Sequence, residues 1–196
     1  MALDGFVRAL DGFEVVLAGV APGRWEAPSP CAGWCAVDVA GHVIGDLRAV
    51  QEYATGRDQE DRVRADSVAD LRSAAGDDPV AAWRAARADM MAVLDPVALA
   101  RPVPLPWGGQ VPLGGWLERY PMEFLVHTWD LARATRQAAV LDPELVRDAL
   151  GPARQFAPMA RMSGLVGPEY AVAGDAGDLT RLLAIFGRRD PGLRPP

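Results

Sequence analysis

Apolar residues recur at helical spacing along most of this chain, and proline–glycine punctuation separates the recurrences. That pattern constrains the fold more than any other feature, because a stripe repeating every three to four residues suits a helix and not a strand. Phe6, Leu10, Phe13, Val16, Leu17 and Val20 predict a first helix over 3–20. After the turn-rich "APGRWEAPSPCAG", a second helix is expected over 36–55, with Cys35 as N-cap, Asp38 as the acid at N3 and Gly56 as the stop. A third is expected over 79–95, with Pro79 in its first turn and Val80, Trp83, Met90, Met91 and Leu94 near one face. A fourth spans 113–136, with Pro121 kinking or breaking it. A fifth covers 143–160, interrupted by Pro152 and Pro158, and a last one covers 177–187.

Two segments break the helical pattern. Residues 57–77 are charged and weakly periodic, and read as a connector with one short helix. In "RPVPLPWGGQVPLG", β-prone pieces flank Gly108-Gly109 and predict a small edge hairpin. The expected architecture is all-α: a helical bundle, shorter C-terminal helices and one hairpin. It forms a single domain over 1–190, and 191–196 form a flexible tail.

Composition narrows the function classes. With 196 residues, 50% of them hydrophobic, the chain can close a core of its own. A net charge of −6, with arginines scattered among acids, disfavours nucleic acid as a partner. No apolar run is long enough to span a bilayer, and no signal peptide is read, so a cytoplasmic protein is expected. Cys31 and Cys35 lie in "CAGWC", too few for a zinc ribbon or a disulfide scaffold, and read as two reduced thiols.

The fourth helix poses a problem. Leu113, Trp116, Tyr120, Phe124, Leu131 and Ala134 share a face with Glu123 and His127, so two polar groups sit within an apolar stripe. A buried carboxylate costs several kcal/mol unless something compensates it. An arginine such as Arg87 could pair with Glu123, His127 alone could hydrogen-bond it, or both could bind a cation. Side chains four apart on a helix are neighbours and can chelate one metal. The only other histidine, His42, lies on the second helix in a row with Asp38, Asp46 and Tyr53. Two histidines, a carboxylate and an open place form a common catalytic zinc set. Periodicity does not choose between the metal and the metal-free reading.

The segments "PSPCAGWCAVDVAGHVIGDLRAV" and "EFLVHTWDLARAT" resemble two motifs of the mycothiol-dependent maleylpyruvate isomerase family, within the DinB-like superfamily of metal-binding four-helix bundles. The ending "GPEYAVAGDAGDLTRLLAIFGRRDP" is similar to that of short, single-domain actinobacterial members. The absence of lysine and asparagine, typical of G+C-rich genes, agrees with such a source. The resemblance implies a DinB-like four-helix bundle with metal ligands at His42, Glu123 and His127. The implied metal is divalent, zinc first, with nickel or iron as alternatives. Asp130 and Arg133 match the trailing part of the motif, which implies a part in helix packing. Cys35 stands where the family carries Thr or Ser.

The implied chemistry is a thiol reaction: a low-molecular-weight thiol, mycothiol, attacks a small electrophile. The full isomerase has a further C-terminal domain, so an S-transferase or conjugating reaction is expected here rather than turnover of maleylpyruvate. A non-catalytic ligand-binding bundle and a metal-dependent hydrolase are the other expectations. Either a monomer or a homodimer suits this class. The cleft is expected to be lined by 57–77, 101–112 and 161–176.

Overall fold

The computed structural model describes residues 3–57, 67–105 and 108–189. Four helices make the bundle: α1 (Asp4–Ala18), α2 (Ala36–Thr55), α4 (Pro79–Val93) and α7 (Pro121–Thr135). In the ring, α1 packs on α7 and α4, and α2 packs on α4 and α7. The core between them is apolar. Phe6 meets Phe124 edge-on at 5.6 Å, and Phe13 lies 4.8 Å from Trp83. A short helix α3 (Val68–Ala75) rests on α2, and α5 (Pro96–Leu99) leads into a hairpin. Its strands β1 (Pro102–Pro104) and β2 (Gln110–Pro112) are antiparallel, with Val103 opposite Val111. Then come α6 (Leu113–Leu117), α7, α8 (Pro143–Met162) against α7, and α9 (Asp178–Ile185) against α8. The fold is the expected all-α, DinB-like four-helix bundle with a small hairpin.

The local signals account for most boundaries. Asp38 Oδ2 accepts a hydrogen bond from the Cys35 amide at 2.7 Å and starts α2; Gly56 ends it in the left-handed region at φ 69°. Pro121 breaks the predicted fourth helix instead of bending it. It has no amide proton, and its ring excludes the carbonyl four residues back, which belongs to Leu117, the last residue of α6.

Three expectations need correction. Helix α8 runs through Pro152 and Pro158 without interruption, and its 20 residues make it no short appendage. Its buried stripe is Leu145, Val146, Ala149, Ala153, Ala157 and Ala160; Pro158 is exposed and Pro152 half-buried, both outside that stripe, where freed carbonyls can be hydrated. Met91 does not join the apolar face of α4 but is 38% exposed. Helix α5 was not foreseen; Asp95 caps it with Pro96 at its first turn. The connector readings at 58–66, residues 106–107 of the segment read as a hairpin and the expected tail at 191–196 lie outside the described residues.

Gly41 decides how closely α3 approaches α2. A Cβ there would stand 1.9 Å from the Leu71 carbonyl oxygen. Arg72, on α3, also pairs with buried Asp38 at 3.0 Å, so α3 clamps the N-terminal half of α2, where His42 sits. No helix among the described residues is long and apolar enough to cross a membrane.

Candidate metal centre

Helices α2 and α7 cross so that His42 faces Glu123 and His127. Glu123 Oε1 lies 3.2 Å from His42 Nε2 and 3.0 Å from His127 Nε2. The three donor atoms all lie within 4.8 Å of one another. Each helix contributes a pair four residues apart, since Asp46 Oδ2 stands 3.6 Å from His42 Nε2. Ligand atoms around tetrahedral zinc are separated by about 3.4 Å, given bonds of about 2.0–2.2 Å, so these spacings suit a shared cation.

Glu123 is less buried than its place on the stripe suggested. His42 and Glu123 keep 20% and 21% of their side chains exposed, against 7% for His127. The exposure opens into a cavity of about 1050 Å³. Trp34, Trp116, Met122, Val126, Phe156 and Val166 supply much of its apolar wall. Leu105 and Val111 of the hairpin segment and 164–168 also line it, as expected. No described residue of 57–77 does; α3 packs on α2, and the loop around Cys31 and helix α8 take that part of the wall. Trp34 lies against both imidazoles, with ring centroids 5.2 Å from His42 and 6.2 Å from His127.

The arginine alternative for Glu123 does not hold in its named form. Arg87 is engaged by Glu14 at 2.8 Å and Asp11 at 2.5 Å on α1. Glu123 has the imidazoles instead. Burial pushes its carboxyl up, but hydrogen bonds from His127 and His42 outweigh that and hold it well below the usual carboxylate range. Burial disfavours the His127 imidazolium, yet Asp130, Cys31 and Glu123 together raise its pKa well above the ordinary value. Without metal, these shifts favour an imidazolium–carboxylate pair at the centre.

Around it, negative charge is in excess. Asp46 is desolvated, which raises its pKa from 3.8 to about 6 despite His42. The Tyr120 hydroxyl donates to the Asp46 carboxyl, but Oδ2 is buried without a hydrogen-bond partner. Such an orphaned oxygen beside two imidazoles and a second carboxylate fits a site that takes a cation.

Asp130, expected to help fix helix packing, also contacts His127. It is fully buried and stands 3.0 Å, through Oδ2, from His127 Nδ1. Arg188 binds the same carboxylate, Nε to Oδ1 at 3.2 Å and Nη2 to Oδ2 at 2.8 Å. Cys31 Sγ donates to Asp130 Oδ2 at 3.1 Å. The i, i+3 spacing of His127 and Asp130 was a legible signal for this contact. Nothing local pointed to Arg188, Cys31 or Trp34. Arg133 packs no core; it is exposed, with its guanidinium 5.9 Å from the Trp129 ring. Cys31 and Cys35 are both free cysteines.

A family model described as the mycothiol maleylpyruvate isomerase N-terminal domain matches residues 6–132. The chain belongs to this family. It is also 33% identical, over 170 residues, to an uncharacterized protein found in Mycobacterium tuberculosis strains CDC 1551 / Oshkosh and ATCC 25618 / H37Rv, covering 85% of this chain and 80% of the relative. No solved structure matches the chain. The family segment contains His42, Glu123, His127 and Asp130, whereas Arg188 and the wall from α8 onward lie beyond it.

Proposed function

We propose that His42, Glu123 and His127 hold a divalent metal, zinc in the first place, and that the protein is a metal-dependent thiol S-transferase or isomerase. Its partners in this reading are a low-molecular-weight thiol of the mycothiol type and a small electrophile, met in the cytoplasm. One observation carries it: two imidazole nitrogens converge on one carboxylate oxygen at the wall of a cavity of about 1050 Å³. Family membership supports the thiol. The donor set also accepts nickel or iron.

When bound, such a metal lowers the pKa of a nearby thiol and so supplies a thiolate at neutral pH. The chain's own residues do the rest. Asp130 accepts the Nδ1 proton of His127 and leaves Nε2 to face Glu123. Trp34 covers the imidazoles on one side. Asp46, which lines the cavity and whose Oδ2 has no hydrogen-bond partner, can accept the proton that the thiol gives up. The apolar wall of Trp116, Phe156 and Val166 can hold the electrophile's carbon skeleton. In a transferase the new carbon–sulfur bond persists, and either the electrophile's leaving group departs with its bonding electron pair or, after addition to a double bond, the adjacent carbon takes up the proton that the thiol gave. In an isomerase the thiolate adds to a double bond, the resulting single bond rotates, and elimination returns the thiol.

The test starts with protein purified without a histidine tag and analysed for metal. Mycothiol and a panel of electrophiles are then assayed with wild type and His42→Ala. Turnover that requires His42 is expected; equal turnover in both proteins would overturn the proposal. Stoichiometric ligand capture without product would favour a binding bundle instead.

A further inference from the structure

We infer that Arg188 and Asp130 are a positioning pair that locks the ring of His127 for metal ligation, so that the C-terminal segment helps set the metal affinity. This inference rests on the metal centre proposed above. A neutral imidazole carries one N–H, and the partner of one nitrogen decides what the other can do. Asp130 Oδ2 takes Nδ1–H at 3.0 Å, so Nε2, 3.0 Å from Glu123, is the nitrogen left to give its lone pair to a metal that displaces its proton. A histidine ligand anchored in this way keeps both tautomer and orientation.

Asp130 alone could not serve. It is 0% exposed, and an unpaired carboxylate at that depth costs several kcal/mol. Arg188 compensates it with a two-point fork, Nε to Oδ1 and Nη2 to Oδ2, a geometry that the planar guanidinium pre-organises. The guanidinium is itself held: Nη1 donates to the Phe186 carbonyl at 2.8 Å, and Nη2 reaches Cys31 Sγ at 3.0 Å. One side chain thus ties the loop before α2, helix α7 and the turn after α9.

The backbone is built for this return. Gly187 follows α9 in the left-handed region at φ 72°, and a Cβ there would stand 3.1 Å from the Pro168 carbonyl oxygen. A larger residue would be strained in that turn and crowded by 167–168. The turn swings Arg188 back over α7. Arg188 lies outside the segment that matches the family, so the lock joins the family's bundle to this chain's own C-terminal part.

Zinc affinity, measured by competition with a chromophoric chelator, tests the inference in wild type, Arg188→Ala, Arg188→Lys and Asp130→Asn. Arg188→Ala and Asp130→Asn are expected to weaken zinc by about 10- to 100-fold, with part of the affinity recovered in Arg188→Lys. Imidazole ¹⁵N spectra supply a second readout, since the chain has only 2 histidines. The His127 Nδ1 signal should move in both weakened variants while that of His42 stays. Melting curves of the metal-free proteins identify any variant that fails to fold; Asp130→Asn and Arg188→Lys carry the test if Arg188→Ala does. Wild-type zinc affinity and an unmoved His127 signal in the folded variants would overturn the positioning role and leave the metal centre standing. Wild type that binds no zinc would overturn the centre itself, and the inference with it.

Discussion

Zinc loading should release about one proton per chain at pH 7, and more as the solution is acidified. The number follows from the site. Hydrogen bonds to Asp130, Cys31 and Glu123 overcome burial and keep the His127 imidazolium well above its ordinary pKa, while Glu123 stays ionised. At pH 7 the metal-free pair therefore holds a proton on His127 Nε2, between imidazole and carboxylate. A metal bound at that nitrogen must displace it. Each displaced proton makes affinity fall about tenfold per pH unit of acidification. Asp46 adds to this as the pH drops through about 6, because its carboxyl then takes up a proton that a nearby cation would expel again. Zinc affinity should thus fall about tenfold from pH 7 to 6 and more steeply below. Titration calorimetry of the metal-free protein, in buffers of different ionisation enthalpy, counts the protons directly. Zero release at pH 7, or an affinity indifferent to pH between 6 and 7, would refute the charge state assigned to the pair.

Zinc at about 100 times its Kd should stabilise the fold by about 2.7 kcal/mol and raise Tm by roughly 5–11 °C, an increase lost in His42→Ala and read by differential scanning fluorimetry. Asp46→Asn should stabilise the metal-free protein on the order of 1–3 kcal/mol at pH 8. The sign comes from a folded pKa raised from 3.8 to about 6: the ionised carboxyl is penalised above that pH, and the penalty vanishes below the unfolded value. Urea midpoints at pH 4 and 8 check it, and a difference constant across that range would count against it. Gly41→Ala should destabilise by about 1–3 kcal/mol, because the Leu71 carbonyl must give way to a methyl group. Unchanged thermal unfolding would show that α3 can simply move aside. Pro158→Ala, at an exposed position of α8, should stabilise by about 1–3 kcal/mol by restoring a helical hydrogen bond, which chemical denaturation can measure.

Much of the architecture was legible because its signals are local. The stripe Phe6, Leu10, Phe13 and Leu17 marks α1, and the Cys35–Asp38 start and Gly56 stop bound α2 within a residue or so. The α8 prolines misled, since helix interruption depends on whether freed carbonyls can be hydrated, and that is a matter of which side faces the core. Met91 misled for a related reason: α4 buries a narrower face than its composition suggests, with Trp83 and Met90 at its centre.

The centre divides in the same way. Periodicity isolated Glu123 and His127, because two polar residues four apart on an apolar stripe need a shared explanation. His42 was the only other histidine, and the family motifs named it. Helical spacing and residue chemistry thus settled most of the elements, several of their caps and a short roster of ligand candidates, since each depends on neighbours a few positions away. The meeting of His42 with Glu123, the cavity at that junction and the orphaned oxygen of Asp46 depended on how α2 and α7 cross. The reach of Arg188 to Asp130, 58 positions apart in the chain, came from packing alone. Long-range contacts of that kind leave no periodic trace, because their energy comes from charges and surfaces brought together only once the helices have docked.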